Sequence, residues 1–78
     1  MKYLVVVEKG PNNYSAYVPD LPGCVSVGDT PEEMERMITE AIAFHLEGIA
    51  EDGDEIPEGT AYAIEVEVAL PHTAKKAG

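Results

Sequence analysis

The amino-acid sequence predicts an α+β domain with the element order βββαβ, in which one helix packs on a four-stranded mixed sheet. Two observations support this fold class: short apolar stretches bounded by proline and glycine turns, and one long stripe of apolar residues at helical spacing. A chain of 78 residues has room for one domain. We assign that domain to residues 1–70 and expect residues 71–78 to form a disordered tail.

The first three predicted strands form a meander. Residues 2–8, KYLVVVE, are almost continuously apolar, which is typical of a strand in the interior of a sheet. A loop over residues 9–13 leads to the second strand, residues 14–18, in which apolar and more polar side chains alternate. The turn PDLPG, residues 19–23, then reverses the chain into a third strand over residues 24–27.

A helix is predicted to begin at Pro31. Thr30 supplies an N-cap hydroxyl, proline suits the first helical position, and Glu33 completes a capping box. The helix should end near Ala50, because Asp52, Gly53 and Asp54 interrupt the pattern. Its apolar face consists of Met34, Met37, Ile38, Ala41, Ile42, His45, Leu46 and Ile49.

Residues 62–70, YAIEVEVAL, predict the last strand, because large apolar residues alternate with small or acidic ones. A right-handed crossover through the helix would place this strand parallel to the first. One helix can cover only one face of the sheet, so we expect an apolar patch on the other face. A core this small also favours self-association, and we therefore expect a homo-oligomer.

The charge distribution indicates which classes of macromolecule the protein can bind. The net charge is −10, and residues 29–67 contain thirteen acidic residues and one basic residue, Arg36. Such a surface repels phosphate, so direct nucleic-acid binding is not expected, whereas a basic protein partner is favoured. Solubility alone is the alternative explanation of this acidity.

The sequence also bears on compartment and cofactors. No apolar run approaches the ~20 residues of a membrane helix, and residues 3–7 are too few for a signal-peptide core, so we expect a cytoplasmic protein. The single cysteine, Cys24, is interpreted as a small buried hydrophobe. His45 and His72 have no metal-ligand spacing, and we expect neither a metal nor a cofactor.

The stretch YSAYVPDLPGCVSVGDTPEE, residues 14–33, followed by a helix containing EAI, resembles the HicB family of antitoxins. The resemblance covers roughly residues 3–70. It implies a truncated, inactive RNase H-like domain that neutralises a small basic ribonuclease toxin of the HicA type by direct contact. Many members carry a C-terminal DNA-binding domain, whereas seven residues follow Pro71 here, so we do not expect self-contained DNA binding.

Two groups of residues are candidates for binding the partner. Asp20, Leu21 and Pro22 are predicted to form a rigid, exposed loop tip, although the same residues also suit a purely structural turn. Glu65 and Glu67 are predicted on the polar face of the last strand.

Two other functions stay open at the level of sequence. One is a minimal metal-dependent nuclease of RNase H-like fold, for which Glu8, Asp20 and Glu40 are the candidate ligands. The first strand carries no carboxylate at its middle, which disfavours that site, and we expect no catalytic residues. The other is an oligomeric scaffold that has lost its toxin.

Overall fold

The computed structural model describes residues 1–73 and 75, and it contains a three-stranded antiparallel sheet and one helix. The strands are β1 (Val6–Lys9), β2 (Tyr14–Tyr17) and β3 (Val25–Gly28), and the helix is α1 (Pro31–Glu51). The α+β class and the order of the first four elements are confirmed. Part of the predicted tail, namely residue 74 and residues 76–78, lies outside the described residues.

The sheet has the order β1-β2-β3, so β2 is its central strand. Its register pairs Val7 of β1 with Ala16 of β2, and Ala16 with Ser26 of β3. The prediction that the first strand lies in the interior of the sheet is therefore wrong. The strand is an edge strand that begins at Val6, so residues 2–5 of the predicted strand precede it, and Val7 is 51% exposed.

The turn between β2 and β3 is built from backbone hydrogen bonds. The amide of Val18 donates to the carbonyl of Cys24 at 3.2 Å, and the amide of Cys24 donates to the carbonyl of Leu21 at 3.0 Å. Gly23 has φ +83°, a left-handed conformation that glycine adopts without steric cost. Leu21 is only 1% exposed, so the expected exposed tip is corrected at this residue. Its apolar side chain turns inward and closes the end of the core.

The predicted N-cap and first helical position of α1 are confirmed. The amide of Glu33 donates to Oγ1 of Thr30 at 3.1 Å, and Pro31 occupies the first helical position. At Gly28, a Cβ atom would lie 2.8 Å from the amide nitrogen of Met34, so only glycine lets β3 end so close to the helix. The helix ends at Glu51, one residue beyond the expected end.

The core lies between α1 and the strands β2 and β3, and it is small. The first half of the predicted helical face is confirmed at Met34 and Ile38, whereas Met37 is 38% exposed and does not belong to the packed face. Half-buried side chains, including Ile42 and Leu46, pack around this centre. The buried core consists of Ala16, Val18, Leu21, Cys24, Met34 and Ile38.

The predicted fourth strand, residues 62–70, does not join the sheet, so the predicted four-stranded sheet is wrong for the single chain. This segment, called the arm below, contains no helix, turn or bend. The chain is elongated, with dimensions of 55 × 27 × 17 Å. A strand is defined by its pairing with a neighbour, and residues 1–73 and 75 provide none for the arm within one chain.

We expect Thr30→Ala to lower the free energy of unfolding by about 1 kcal/mol, because the amide of Glu33 loses its hydrogen-bond acceptor. Thr39→Ala is the matched control, since the Thr39 hydroxyl donates to the carbonyl of Glu35 within the same helix and caps nothing. Urea unfolding of the three proteins provides the comparison. Equal midpoints for Thr30→Ala and Thr39→Ala would contradict the capping role.

Candidate functional site

Asp20 connects the turn between β2 and β3 to the segment that precedes the arm. Its carboxylate accepts hydrogen bonds from the amide of Thr60 at 3.0 Å, the hydroxyl of Thr60 at 2.8 Å and the amide of Ala61 at 2.9 Å. The Ala61 amide, followed by the Thr60 hydroxyl, holds the pKa of the Asp20 carboxyl below its usual value. The carboxylate is therefore engaged within the chain and acts as an anchor.

A second anchor lies beside the start of the first strand. The hydroxyl of Tyr3 donates to the carbonyl of Pro57 at 2.5 Å. At Gly59 the two backbones come so close that a Cβ atom would collide with the carbonyl oxygen of Lys2. These contacts and the Asp20 hydrogen bonds fix the position from which the arm leaves the body of the molecule.

The arm carries two different faces. Its acidic residues, Glu65 and Glu67, are exposed and lie at alternate positions to the large apolar residues, so the two sets point to opposite sides of an extended backbone. The apolar side chains are between 62% and 81% exposed, which is unusual for five consecutive members of an alternating pattern. These five residues are Tyr62, Ile64, Val66, Val68 and Leu70.

The sheet face opposite α1 is also uncovered. Ala16 points toward the helix, so Tyr17 and its register partner Val25 point away from it, as does Val27. Val25 and Val27 are 64% and 57% exposed. The sequence-based expectation of an apolar patch on this face is confirmed.

The acidic residues cover much of the remaining surface. Along α1, one side presents Glu32, Glu35 and Glu40 around Arg36 and Thr39, which together line a shallow open depression. Because carboxylates outnumber the one guanidinium there, this surface attracts cationic groups and repels anionic ones.

The sequence-predicted candidates therefore fall into two sets. Asp20 and Leu21 serve the fold as an anchor and a core residue, while Pro22 is exposed beside them. Glu65 and Glu67 are exposed on the arm. The hydrogen bond between Ala61 and Asp20 fixes the residue immediately before the arm. Sequence reasoning missed the anchor, because its partners lie 40 and 41 residues further along the chain and no local pattern links them.

The residues considered for catalysis lie apart. Within residues 1–73 and 75, no group of three or more His, Cys, Asp or Glu side chains could hold a metal ion, and Glu8, Asp20 and Glu40 form no such group. Cys24 is 4% exposed, as expected of a small buried hydrophobe, and burial raises the pKa of its thiol. Over the described residues, no helix has the length and apolarity to cross a membrane.

Comparison with known proteins gives a consistent result. A family model described as the HicB_like antitoxin of bacterial toxin-antitoxin systems matches residues 3–75. An uncharacterized 14.9 kDa protein of Haemophilus phage HP1 is 47% identical over 58 residues, which is 74% of this chain and 44% of the phage protein. The chain thus spans less than half the length of that relative. A UPF0150 protein of Thermoplasma acidophilum is 37% identical over 67 residues, which is 85% of this chain and 97% of that protein.

A solved structure is similar as well. A chain of the HicA3 and HicB3 toxin-antitoxin complex matches with a TM-score of 0.66 and 27% sequence identity. The match covers 77% of this chain and 70% of the other. The likeness therefore includes most of the described fold.

The Asp20 anchor should respond to pH in a defined direction. Because its folded pKa lies below the usual value of about 3.9, its stabilising contribution is present at neutral pH and is lost as the pH falls through the folded pKa. An NMR titration should show the amide protons of Thr60 and Ala61 shifting together, with a midpoint below about 3.9.

Asp20→Asn should abolish this titration, whereas Glu58→Gln, on the same connecting segment, should leave it unchanged. A midpoint above 3.9, or an unchanged titration in Asp20→Asn, would show that Asp20 does not hold the two amides.

Proposed function

The chain belongs to the HicB-like antitoxin family, and we propose on this basis that it neutralises a small basic toxin of the HicA type by direct protein–protein contact. The observation that supports this proposal best is the similarity to a chain of the HicA3 and HicB3 complex, at 27% identity and a TM-score of 0.66. In this proposal the chain binds and does not catalyse.

The charge of the chain is the physical basis for the choice of partner. A net charge of −10 on 78 residues, concentrated between residues 29 and 67, generates a field that attracts a basic protein over several ångströms. Complementary charge raises the rate of encounter and disfavours partners that are themselves acidic. A ribonuclease toxin needs a basic surface to bind RNA, so its RNA-binding surface would be the natural target of these carboxylates.

Glu65 and Glu67 are the proposed contacts with the toxin. Both are exposed and lie on the polar side of an arm that also offers apolar surface, which is the combination found in protein interfaces. Pro22 is a further candidate at the turn. Asp20 accepts a hydrogen bond from Ala61 and so positions the arm, and Leu21 packs in the core. We therefore propose that both residues stabilise the binding surface and do not contact the toxin.

The proposal also includes the superfamily of the domain. We regard the chain as a truncated RNase H-like domain whose sheet lacks one strand in the single chain. A metal-dependent nuclease is the competing function. Incubation of the purified chain with RNA and Mg²⁺ or Mn²⁺ tests it, and cleavage that Glu8→Gln or Glu40→Gln abolishes would replace the binding function with a catalytic one.

We expect the association rate with a purified toxin of the HicA type to fall at least about tenfold between 50 and 500 mM salt. The dissociation rate should change less, because short-range contacts are less screened. Stopped-flow fluorescence over a salt series measures both rates. An association rate that is insensitive to salt would contradict electrostatic attraction of the toxin, and the acidic residues would then serve solubility alone.

Two double variants locate the contact. Glu65→Lys with Glu67→Lys, and Glu32→Lys with Glu35→Lys, change the net charge by the same amount, so any difference between them is local. The arm variant should weaken toxin binding more strongly than the helix variant. Equal effects, or an arm variant indistinguishable from the unmodified chain, would remove Glu65 and Glu67 from the interface.

A further inference from the structure

We infer that the arm of one copy adds as a fourth strand to the free edge of β1 in a second copy, and that two copies exchange arms in this way. The apolar side of the arm then fills a groove between β1 and α1 of the partner. This inference concerns self-association and does not depend on the proposed toxin.

The arm has the sequence of a half-buried strand but the exposure of an unpaired one. Large apolar residues occupy every second position, which is the pattern of a strand with one face on a core. In the single chain all five of these side chains are at least 62% exposed. Because a strand of this composition gains most of its stability from burial, the pattern indicates a surface that the arm covers in an assembly.

A groove of matching chemistry lies beside β1. Its volume is about 570 Å³, and it separates the side chains of Tyr3, Val5 and Val7 from Ile38 and Ile42 of α1. The helix packs on β2 and β3 rather than on β1, which leaves this space open. Glu35 and Thr39 also line the helix side, but most of the lining is apolar, which suits a row of alternating apolar side chains such as Ile64 and Val66.

The free edge of β1 provides the backbone partners for the arm. Edge strands carry a row of unpaired amide and carbonyl groups, and natural edges are usually short, charged or interrupted by proline. The charges of β1, on Glu8 and Lys9, lie at its C-terminal end, whereas its first two residues and the three that precede it, YLVVV over residues 3–7, contain no charge and no proline. The sequence of a central strand at the edge of a sheet indicates that another strand pairs there, as in the recognition of peptides by strand addition.

The anchors explain why a second copy is the occupant. Hydrogen bonds from Thr60 and Ala61 to Asp20, and from Tyr3 to Pro57, fix the base of the arm on its own domain. Beyond Ala61 the arm leaves that domain and continues without a turn or bend, so its apolar residues project away from their own groove. The groove of another molecule is then the available surface of the right chemistry, and reciprocal exchange satisfies both copies.

Sedimentation velocity of the full chain at tens of micromolar should show a species of twice 8.4 kDa. Ile64→Glu should raise the dimer dissociation constant at least about tenfold, because it introduces a charge into the apolar groove. Ala63→Glu adds the same charge on the opposite side of the arm and is the matched control. Because both positions are exposed in the single chain, circular dichroism should show the same helix content for all three proteins.

A second measurement locates the arm. One sample is the Cys24→Ala, Ala69→Cys variant with a spin label on the introduced cysteine. It is mixed with ¹⁵N-enriched chains that carry no spin label, so that the NMR signals report only contacts between molecules. We expect broadening of the amide signals of Val5 and Val7. A monomer at these concentrations, equal effects of Ile64→Glu and Ala63→Glu, or broadening confined to Val25 and Val27 would each overturn the inference.

Discussion

The structure depends on the packing of one half of one helix against two strands. Thr30 and Gly28 set where α1 begins and how closely it follows β3, and this places Met34 and Ile38 over the sheet. In the part of the chain that the structure describes, the core around that contact contains six buried residues. It is enough to define the fold of a small domain, but it leaves β1, the outer sheet face and the arm with uncovered apolar surface.

These uncovered surfaces connect the fold to the function. An antitoxin acts by presenting surface to another protein, and a minimal core leaves a large share of the chain available for that purpose. The charge of each uncovered surface indicates the kind of partner that it suits. The apolar groove beside β1 suits a neutral strand, whereas the carboxylates of the arm and of α1 suit a basic partner. If the arm pairs with β1 of a second copy, Glu65 and Glu67 lie on the face opposite the groove and stay accessible to the proposed toxin.

Sequence reasoning predicted the elements whose causes are local. The cap at Thr30 and the turn at Gly23 each depend on a few neighbouring residues, and both are confirmed. It could not predict that Leu21 turns inward, because the composition of a turn does not say which side chain reaches the core. It also missed the bond from Asp20 to Ala61, which depends on a long-range approach of two segments. For the arm it predicted a strand paired within the chain, and the sheet does not contain that strand. Periodicity alone carries no information on which neighbour a strand pairs with, or on whether one is available.

We infer above all that the arm is a strand whose partner lies in another molecule. Hydrogen–deuterium exchange of the full chain over a series of protein concentrations tests it most directly, because amide protection reports pairing at each residue. We expect alternate amides of residues 62–70, together with the amides of β1 that point away from β2, to become protected as concentration rises, while those of β2 and the first half of α1 are protected throughout. Arm amides that exchange freely at every concentration, or that are already protected in a dilute monomer, would contradict it.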